Sequence, residues 1–193
     1  MMDRLLKISR GFGQIAGFMG RTSAWLIVVL IAVIVFDVTL RNWFVIGSTK
    51  LQELEWHLHG ALFLLALGWA YNNNAHVRIE LLSENWAPRT KASVELIGCC
   101  LFLLPYIGAV IWFGLDYVAY SIEYNEASPS ATGLPDRWLI KATIPIGFAG
   151  LGCAATAKVL QAIVFLFGSG TDKEKTEFSR STQPQDHTPV STT

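Results

Sequence analysis

AWLIVVLIAVIVF, residues 24–36, is an apolar run that contains no charged residue. Asp37 interrupts it, but apolar character resumes at Trp43, and the stretch to about residue 46 is long enough to cross a bilayer as a helix. No small-residue cleavage site follows the run, so we interpret it as a retained anchor rather than a signal peptide. How many further runs of this kind the chain carries decides the fold.

The composition indicates a membrane protein. The 193 residues are 52% hydrophobic and only 16% charged, whereas a soluble domain carries about 25% charge. The formal net charge is zero, which does not suggest a nucleic-acid partner. The three cysteines lie in apolar runs, and their spacing predicts neither a disulfide framework nor a zinc site.

Four apolar stretches are long enough to span a membrane. The predicted spans cover about residues 24–46, 54–71, 92–120 and 138–167. Pro105 predicts a kink in the third span, because proline removes a backbone donor from the helix. Together these spans predict a four-helix transmembrane domain over residues 21–168.

Two segments flank that domain. In residues 1–20, apolar side chains recur every three or four positions with basic residues between them. This pattern predicts an amphipathic helix on the cytoplasmic face, in contact with membrane lipids. Residues 169–193 are rich in Ser, Thr, Pro and charge, which predicts a disordered cytoplasmic tail.

The distribution of Lys and Arg predicts the orientation. Eleven of the fifteen lie in the N-terminal arm, the second loop and the C-terminal region, and four lie in the first and third loops. The positive-inside rule therefore predicts that both termini are cytoplasmic. The expected fold class is an all-α integral membrane protein with four transmembrane helices, N-in/C-in, and an N-terminal interfacial amphipathic helix.

The second span begins with two acids and two histidines, in ELEWHLHGALFLLALGW, residues 53–69. On a helix, His57 and His59 point about 200° apart, so they do not face one metal ion. The remaining histidines are predicted on the opposite side of the membrane, which argues against a haem between helices. We therefore expect no metal and no cofactor, and interpret the cluster as the outer headgroup boundary, with one or two residues contacting a partner.

Charges nearer the spans have local interpretations. Asp37 and Arg41 are four residues apart and are predicted to form an ion pair toward the outer interface. Asp116 lies toward the outer end of the third span.

In the fourth span, IPIGFAGLGCAATAK concentrates small residues, which let helices approach closely in lipid. That face packs either within the bundle or against a second protein.

Three stretches resemble the small membrane subunit of TRAP transporters, the tripartite ATP-independent periplasmic carriers (DctQ-like). The first is the start of the second span, where Glu55 is the best match to a family Glu. The second is AHVRIELL, residues 75–82, with His76 and Arg78, although Ala75 replaces the usual Gly. The third is SPSATGLPDRWLIKATIPIG, residues 128–147, with one extra residue between Pro135 and Trp138; its matching residues are Gly133, Pro135, Trp138, Pro145 and Gly147.

The resemblance implies a non-enzymatic accessory subunit in the bacterial inner (cytoplasmic) membrane. It implies an obligate heterodimer with a large TRAP membrane subunit that carries the substrate and sodium sites and is braced by the small one. A periplasmic solute-binding protein is implied to deliver an organic acid or a similar solute. The substrate, the helix faces that contact the large subunit and the role of the tail stay open.

Two loops carry candidate contacts. The third loop is locally acidic through Glu123, Glu126 and Asp136, which predicts either an ordinary solvated loop or a docking surface for the solute-binding protein. In the second loop, His76 and Arg78 are interpreted as contacts to lipid headgroups or as a hydrogen bond that holds the loop.

Two other function classes remain as alternatives. One is a four-helix redox subunit that binds haem, against which the histidine positions argue. The other is a small autonomous proton-coupled transporter, which would need Asp37, Glu55 or Asp116 in a water-filled path.

Overall fold

The described residues form helices joined by turns and irregular segments, and they contain no strand. The computed structural model describes residues 2–44, 47–73, 86–169 and residue 176. The helices in these ranges are α1 (Met2–Phe44), α2 (Thr49–Asn72), α3 (Pro88–Glu123) and α4 (Trp138–Phe167). α2 packs against both α1 and α4, and α3 packs against α4. The all-α prediction is thus confirmed for this part of the chain.

Three of these helices are long and apolar enough to cross a membrane, namely α1, α3 and α4. α2 is not among them, although its 24 residues give a length of about 36 Å. Its first half carries Lys50, Glu53, Glu55, His57 and His59, which make that half polar. The fourth span and the N-in/C-in orientation therefore stay predictions.

α1 is a single helix of 43 residues that contains the predicted interfacial helix from Met2 onward and the first predicted span as far as Phe44. The side chain of Ser9 is buried and donates a hydrogen bond to the Ala157 carbonyl of α4 (3.0 Å). Farther along α1, Gly20 lies against Trp69 of α2. The beginning of α1 is therefore packed on the bundle along one face.

The predicted apolar stripe of residues 1–20 lies on a different face of α1. Ile8 and Ile15 are each 49% exposed, and Phe18 is 64% exposed. These side chains are available to contact lipid or a partner. The position of this segment on the inner leaflet stays a prediction.

α3 changes its hydrogen-bonding pattern before Pro105. Residues Cys99–Leu103 form a π-helical segment between α-helical parts Pro88–Gly98 and Leu104–Glu123. Proline lacks a backbone N–H and crowds the carbonyl four residues earlier, and π segments accommodate such interruptions. The effect of Pro105 in this helix is this π-helical segment.

α2 and α4 approach closely at two glycines. A Cβ on Gly68 would lie 2.5 Å from the Gly150 carbonyl oxygen, and a Cβ on Gly147 would lie 2.5 Å from the Leu64 carbonyl oxygen. Both distances are too short for a side-chain carbon. This part of the small-residue face on α4 is therefore packed within the bundle, which the sequence left open.

Candidate functional site

The loop of residues 124–137, between α3 and α4, is held near the start of α2 by Glu53. Glu53 Oε2 accepts a hydrogen bond from the Leu134 backbone N–H at 2.7 Å, and Oε1 accepts one from the Ser128 hydroxyl. The Ser128 hydroxyl in turn accepts from the Ser130 N–H at 3.1 Å. The hydrogen bond from Leu134, followed by that from Ser128, holds the pKa of Glu53 below its ordinary value.

Gly133 is required by this arrangement. A Cβ at this position would lie 2.8 Å from Glu53 Oε1 and would also overlap Ser128. Its own N–H donates to the Ser130 carbonyl at 3.0 Å, which closes a turn. The Gly-Leu-Pro motif therefore carries out two tasks, since Gly133 leaves room for the carboxylate and Leu134 supplies the donor.

A second connection joins the same loop to α4. Lys141, of which only 6% is exposed, forms an ion pair with Glu126, and its Nζ lies 3.7 Å from the centre of the Tyr117 ring. The Glu126 carbonyl accepts from the Arg137 N–H at 3.1 Å. The hydrogen bond from Lys141 lowers the pKa of Glu126. The loop is thus tied to α2 and α4 by one carboxylate each.

The three acids predicted as a docking surface lie in different environments. Glu126 is engaged with Lys141, whereas Glu123 and Asp136 are exposed. Asp136 has a φ of 56°, in the left-handed region, and its carbonyl accepts from the Leu139 N–H at 3.1 Å. Two of these acids, Glu123 at the end of α3 and Asp136 in the loop, therefore face solvent, and the third is engaged within the protein.

A pocket of about 320 Å³ lies between the end of α1 and the start of α2. Its polar lining residues are Asp37, Arg41, Gln52 and Glu55. Arg41 Nη2 contacts Asp37 Oδ2, as expected for residues four apart on one helix. With its amide oxygen turned toward the guanidinium, Gln52 accepts a hydrogen bond from Arg41 Nη1 at 2.8 Å. The pocket thus brings together the predicted ion pair and the Glu of the family motif.

The remaining predicted residues lie elsewhere. Trp138 is the first residue of α4 and is partly exposed, Pro145 and Gly147 are buried inside that helix, and Pro135 is exposed in the loop. His76 and Arg78 lie outside the described residues.

Sequence reasoning singled out Glu55 and did not find the role of Glu53. Residues two apart on a helix point about 200° from each other, so one faces the α1 side and the other faces the loop. The sequence shows that Glu53 and Glu55 point in opposite directions, but it does not show which of them faces α1 and which faces the loop. The buried Lys141 was likewise counted only as an outer-loop charge.

Comparison with protein families gives one finding that bears on function. The model for "Tripartite ATP-independent periplasmic transporters, DctQ component" matches residues 30–165, which is more than half of the chain. The matched region begins inside α1, covers α2 and α3, and ends near the end of α4. The curated proteins give no significant match to the sequence.

Proposed function

The chain belongs to the DctQ family, the small membrane component of tripartite ATP-independent periplasmic transporters, and from this premise we propose that it braces the large membrane subunit during sodium-coupled uptake of an organic acid or a similar solute. The match over residues 30–165 is the observation that carries the proposal. The small subunit itself catalyses no reaction in this proposal. A periplasmic solute-binding protein delivers the solute to the two membrane subunits.

A bracing role requires a stiff bundle, and the contacts between α2 and α4 support it. Gly68 and Gly147 bring the two backbones close together, so sliding or separation of the helices loses many van der Waals contacts at once. Glu53 and Glu126 add polar ties at the loop end of the bundle. A partner that moves during transport gains a fixed support from such a unit.

The surface that we propose for the large subunit is an apolar groove between α3 and α4. Its lining includes Tyr106, Phe113, Tyr117 and Ile144, and its volume is about 580 Å³. Phe113 is 71% exposed and Tyr106 is 59% exposed. Large aromatic side chains at helical spacing provide contact area with little conformational entropy to lose, as in protein interfaces.

The membrane arrangement that we propose is four spans with both termini in the cytoplasm of a bacterial inner membrane. In this arrangement α2 is the fourth span, and its packing against α1 and α4, two of the apolar helices, supports that assignment. The loop of residues 124–137 then faces the periplasm, where Glu123 and Asp136 meet the solute-binding protein. Basic residues at the other ends of the helices support this direction.

The two alternative functions gain no support from the family match. A haem-binding redox subunit predicts a Soret band in the purified protein. An autonomous proton-coupled transporter predicts uptake by this chain alone in liposomes. Each prediction is checked in the experiment that tests the accessory role.

That experiment is reconstitution of the chain, with and without the large subunit of its own transporter, into liposomes with an inward sodium gradient and the binding protein outside. We expect uptake only when both membrane subunits and the binding protein are present. Uptake by the chain alone, undiminished uptake by the large subunit alone, or a Soret band in the purified chain would overturn the proposal.

A further inference from the structure

Asp37 is a buried carboxylate that is only half satisfied. Its side chain is 4% exposed, and its Oδ2 contacts Arg41. Its Oδ1 is fully buried and has no hydrogen-bond partner among the described residues. A buried acceptor without a donor costs free energy, and it costs more when the group carries a charge. A cation close to this carboxylate lowers the cost through Coulomb attraction, without direct contact with Oδ1.

The pocket that Asp37 lines carries charges of both signs. Asp37 and Glu55 supply carboxylates, Arg41 supplies a guanidinium that is 39% exposed, and Gln52 supplies an amide. A lone cation in this space is repelled by Arg41, and a lone anion is repelled by the two acids. A zwitterion avoids both repulsions when its cationic end lies toward the acids and its anionic end lies toward Arg41.

The surroundings of the pocket suit an amphiphile. Ile34 and Val38 line it on α1, and Trp56, which is 74% exposed, lines it on α2. Trp43, which is 80% exposed, lies six residues beyond Asp37. Exposed tryptophans are typical of the headgroup level of a membrane. A headgroup in the pocket would therefore leave its acyl chains against the apolar side of α1.

We propose that the pocket between α1 and α2 binds the headgroup of a phospholipid that carries a primary ammonium, as in phosphatidylethanolamine. The ammonium lies near the carboxylates of Asp37 and Glu55 and donates to Glu55, and the phosphate pairs with Arg41. A primary ammonium has N–H donors, whereas the quaternary ammonium of phosphatidylcholine has none. The proposal requires that the chain lies in a membrane but not that it binds the large subunit, so it can fail independently of the proposed function.

The test is lipid binding to the purified, delipidated full chain in detergent, followed by native mass spectrometry. Phosphatidylethanolamine, phosphatidylcholine and phosphatidylglycerol with the same acyl chains are titrated in turn. We expect phosphatidylethanolamine to bind about tenfold more tightly than phosphatidylcholine, the factor given by one hydrogen bond to a charged group. Equal affinities for these two lipids, or tighter binding of phosphatidylglycerol, would overturn the assignment.

Variants of the pocket residues test whether the preference for phosphatidylethanolamine depends on this pocket. Glu55→Gln removes one carboxylate and leaves the ion pair between Asp37 and Arg41 in place, and Asp37→Asn removes the other. Both variants should lower the affinity for phosphatidylethanolamine toward that for phosphatidylcholine. Asp116→Asn, at an exposed position of α3 outside the pocket, is the matched control and should bind like the unmodified chain.

Instead of a lipid, a side chain of the large subunit could occupy the pocket between α1 and α2. The complex of both membrane subunits is treated with a carboxyl-to-amine crosslinker, and its bound lipid is measured. Retention of phosphatidylethanolamine by the complex supports the proposal that the pocket binds the headgroup of this lipid. Loss of that lipid, together with a crosslink from Glu55 to a lysine of the large subunit, would overturn the proposal in favour of a protein contact.

Discussion

The backbone N–H of Leu134 donates a hydrogen bond of 2.7 Å to Glu53 Oε2, across 81 residues of sequence. The bond joins the loop before α4 to the N-terminal part of α2. Because the same carboxylate also accepts from the Ser128 hydroxyl, one side chain holds both ends of the turn around Gly133. The shape of this loop thus depends on an acid that lies outside it.

Glu53→Gln should loosen the loop without unfolding the bundle. The amide keeps one acceptor oxygen but turns an NH₂ group toward one of the two donors, which is unfavourable. We expect faster hydrogen exchange at the Leu134 amide and unchanged exchange in the middle of α4. Glu123→Gln, at an exposed position of the same loop end, is the control and should leave the Leu134 amide protected.

Acidification should release the loop. The folded-state pKa values of Glu53 and Glu126 lie below the ordinary value of 4.5, so both carboxylates stabilise the loop at neutral pH. This stabilisation falls off as the pH drops below about 4.5 and through the lowered pKa values. The NMR signal of the Leu134 amide should follow this titration. A midpoint above the ordinary carboxyl value would contradict the assignment.

Gly68→Ala should weaken the contact between α2 and α4. The added Cβ would lie 2.5 Å from the Gly150 carbonyl oxygen, so the backbones must move apart. We expect the free energy of unfolding to fall by about 1–3 kcal/mol, as for other overpacked sites. Gly108→Ala on α3 is the control: its Cβ meets nothing within 4 Å, and higher helix propensity should leave stability equal or higher. Unfolding in mixed micelles measures both variants.

A change of charge at Glu123 and Asp136 should weaken docking of the solute-binding protein. Both side chains are exposed, so Glu123→Lys and Asp136→Asn change surface charge without breaking the ion pair of Glu126, and Asn tolerates the left-handed backbone at position 136. In the reconstituted system we expect a several-fold higher concentration of binding protein at half-maximal uptake, with the maximal rate kept. The difference should shrink as salt is raised. Unchanged half-maximal concentrations at low salt would count against docking at this loop.

Truncation of the α3 groove should reduce recovery of the large subunit. Tyr106→Ala and Phe113→Ala together remove two exposed aromatic side chains from that surface. We expect less large subunit to copurify with the tagged chain, because aromatic anchors supply much of the binding energy in interfaces. Phe36→Ala, at a similarly exposed position of α1, is the comparison. If the α1 variant loses as much copurifying large subunit as the α3 variant, the α3 groove is not the binding surface for the large subunit.

Much of the helical framework follows from local pattern. The predicted span at 138–167 has the same bounds as α4, and the span at 92–120 lies within α3. An apolar run of bilayer length can be recognised as a helix from the sequence, because its length and composition are properties of the run alone. The first half of the second predicted span is polar, so its assignment as a membrane span depends on how α2 packs against other helices. That α2 crosses the membrane remains a prediction.

The continuity of α1 was less accessible to sequence reasoning. The sequence pattern changes near residue 20 from a basic amphipathic segment to an apolar one, but the helix does not break there. Residues 2–44 contain no proline, and the helix continues from Met2 to Phe44 despite four glycines before residue 21. Which face is buried also depended on packing, since Ser9 lies against α4 while Ile8 is half exposed.

By itself, the sequence determined the helical class and the membrane character, and its motifs predicted the family. These depend on composition, on the length of apolar runs and on short motifs, which are properties of neighbouring residues. The tertiary structure alone decided that Glu53 holds the loop, that Glu126 pairs with the buried Lys141, and that Asp37 and Glu55 line one pocket. These pairings join residues on different helices, and the side that each acid faces depends on how the helices pack.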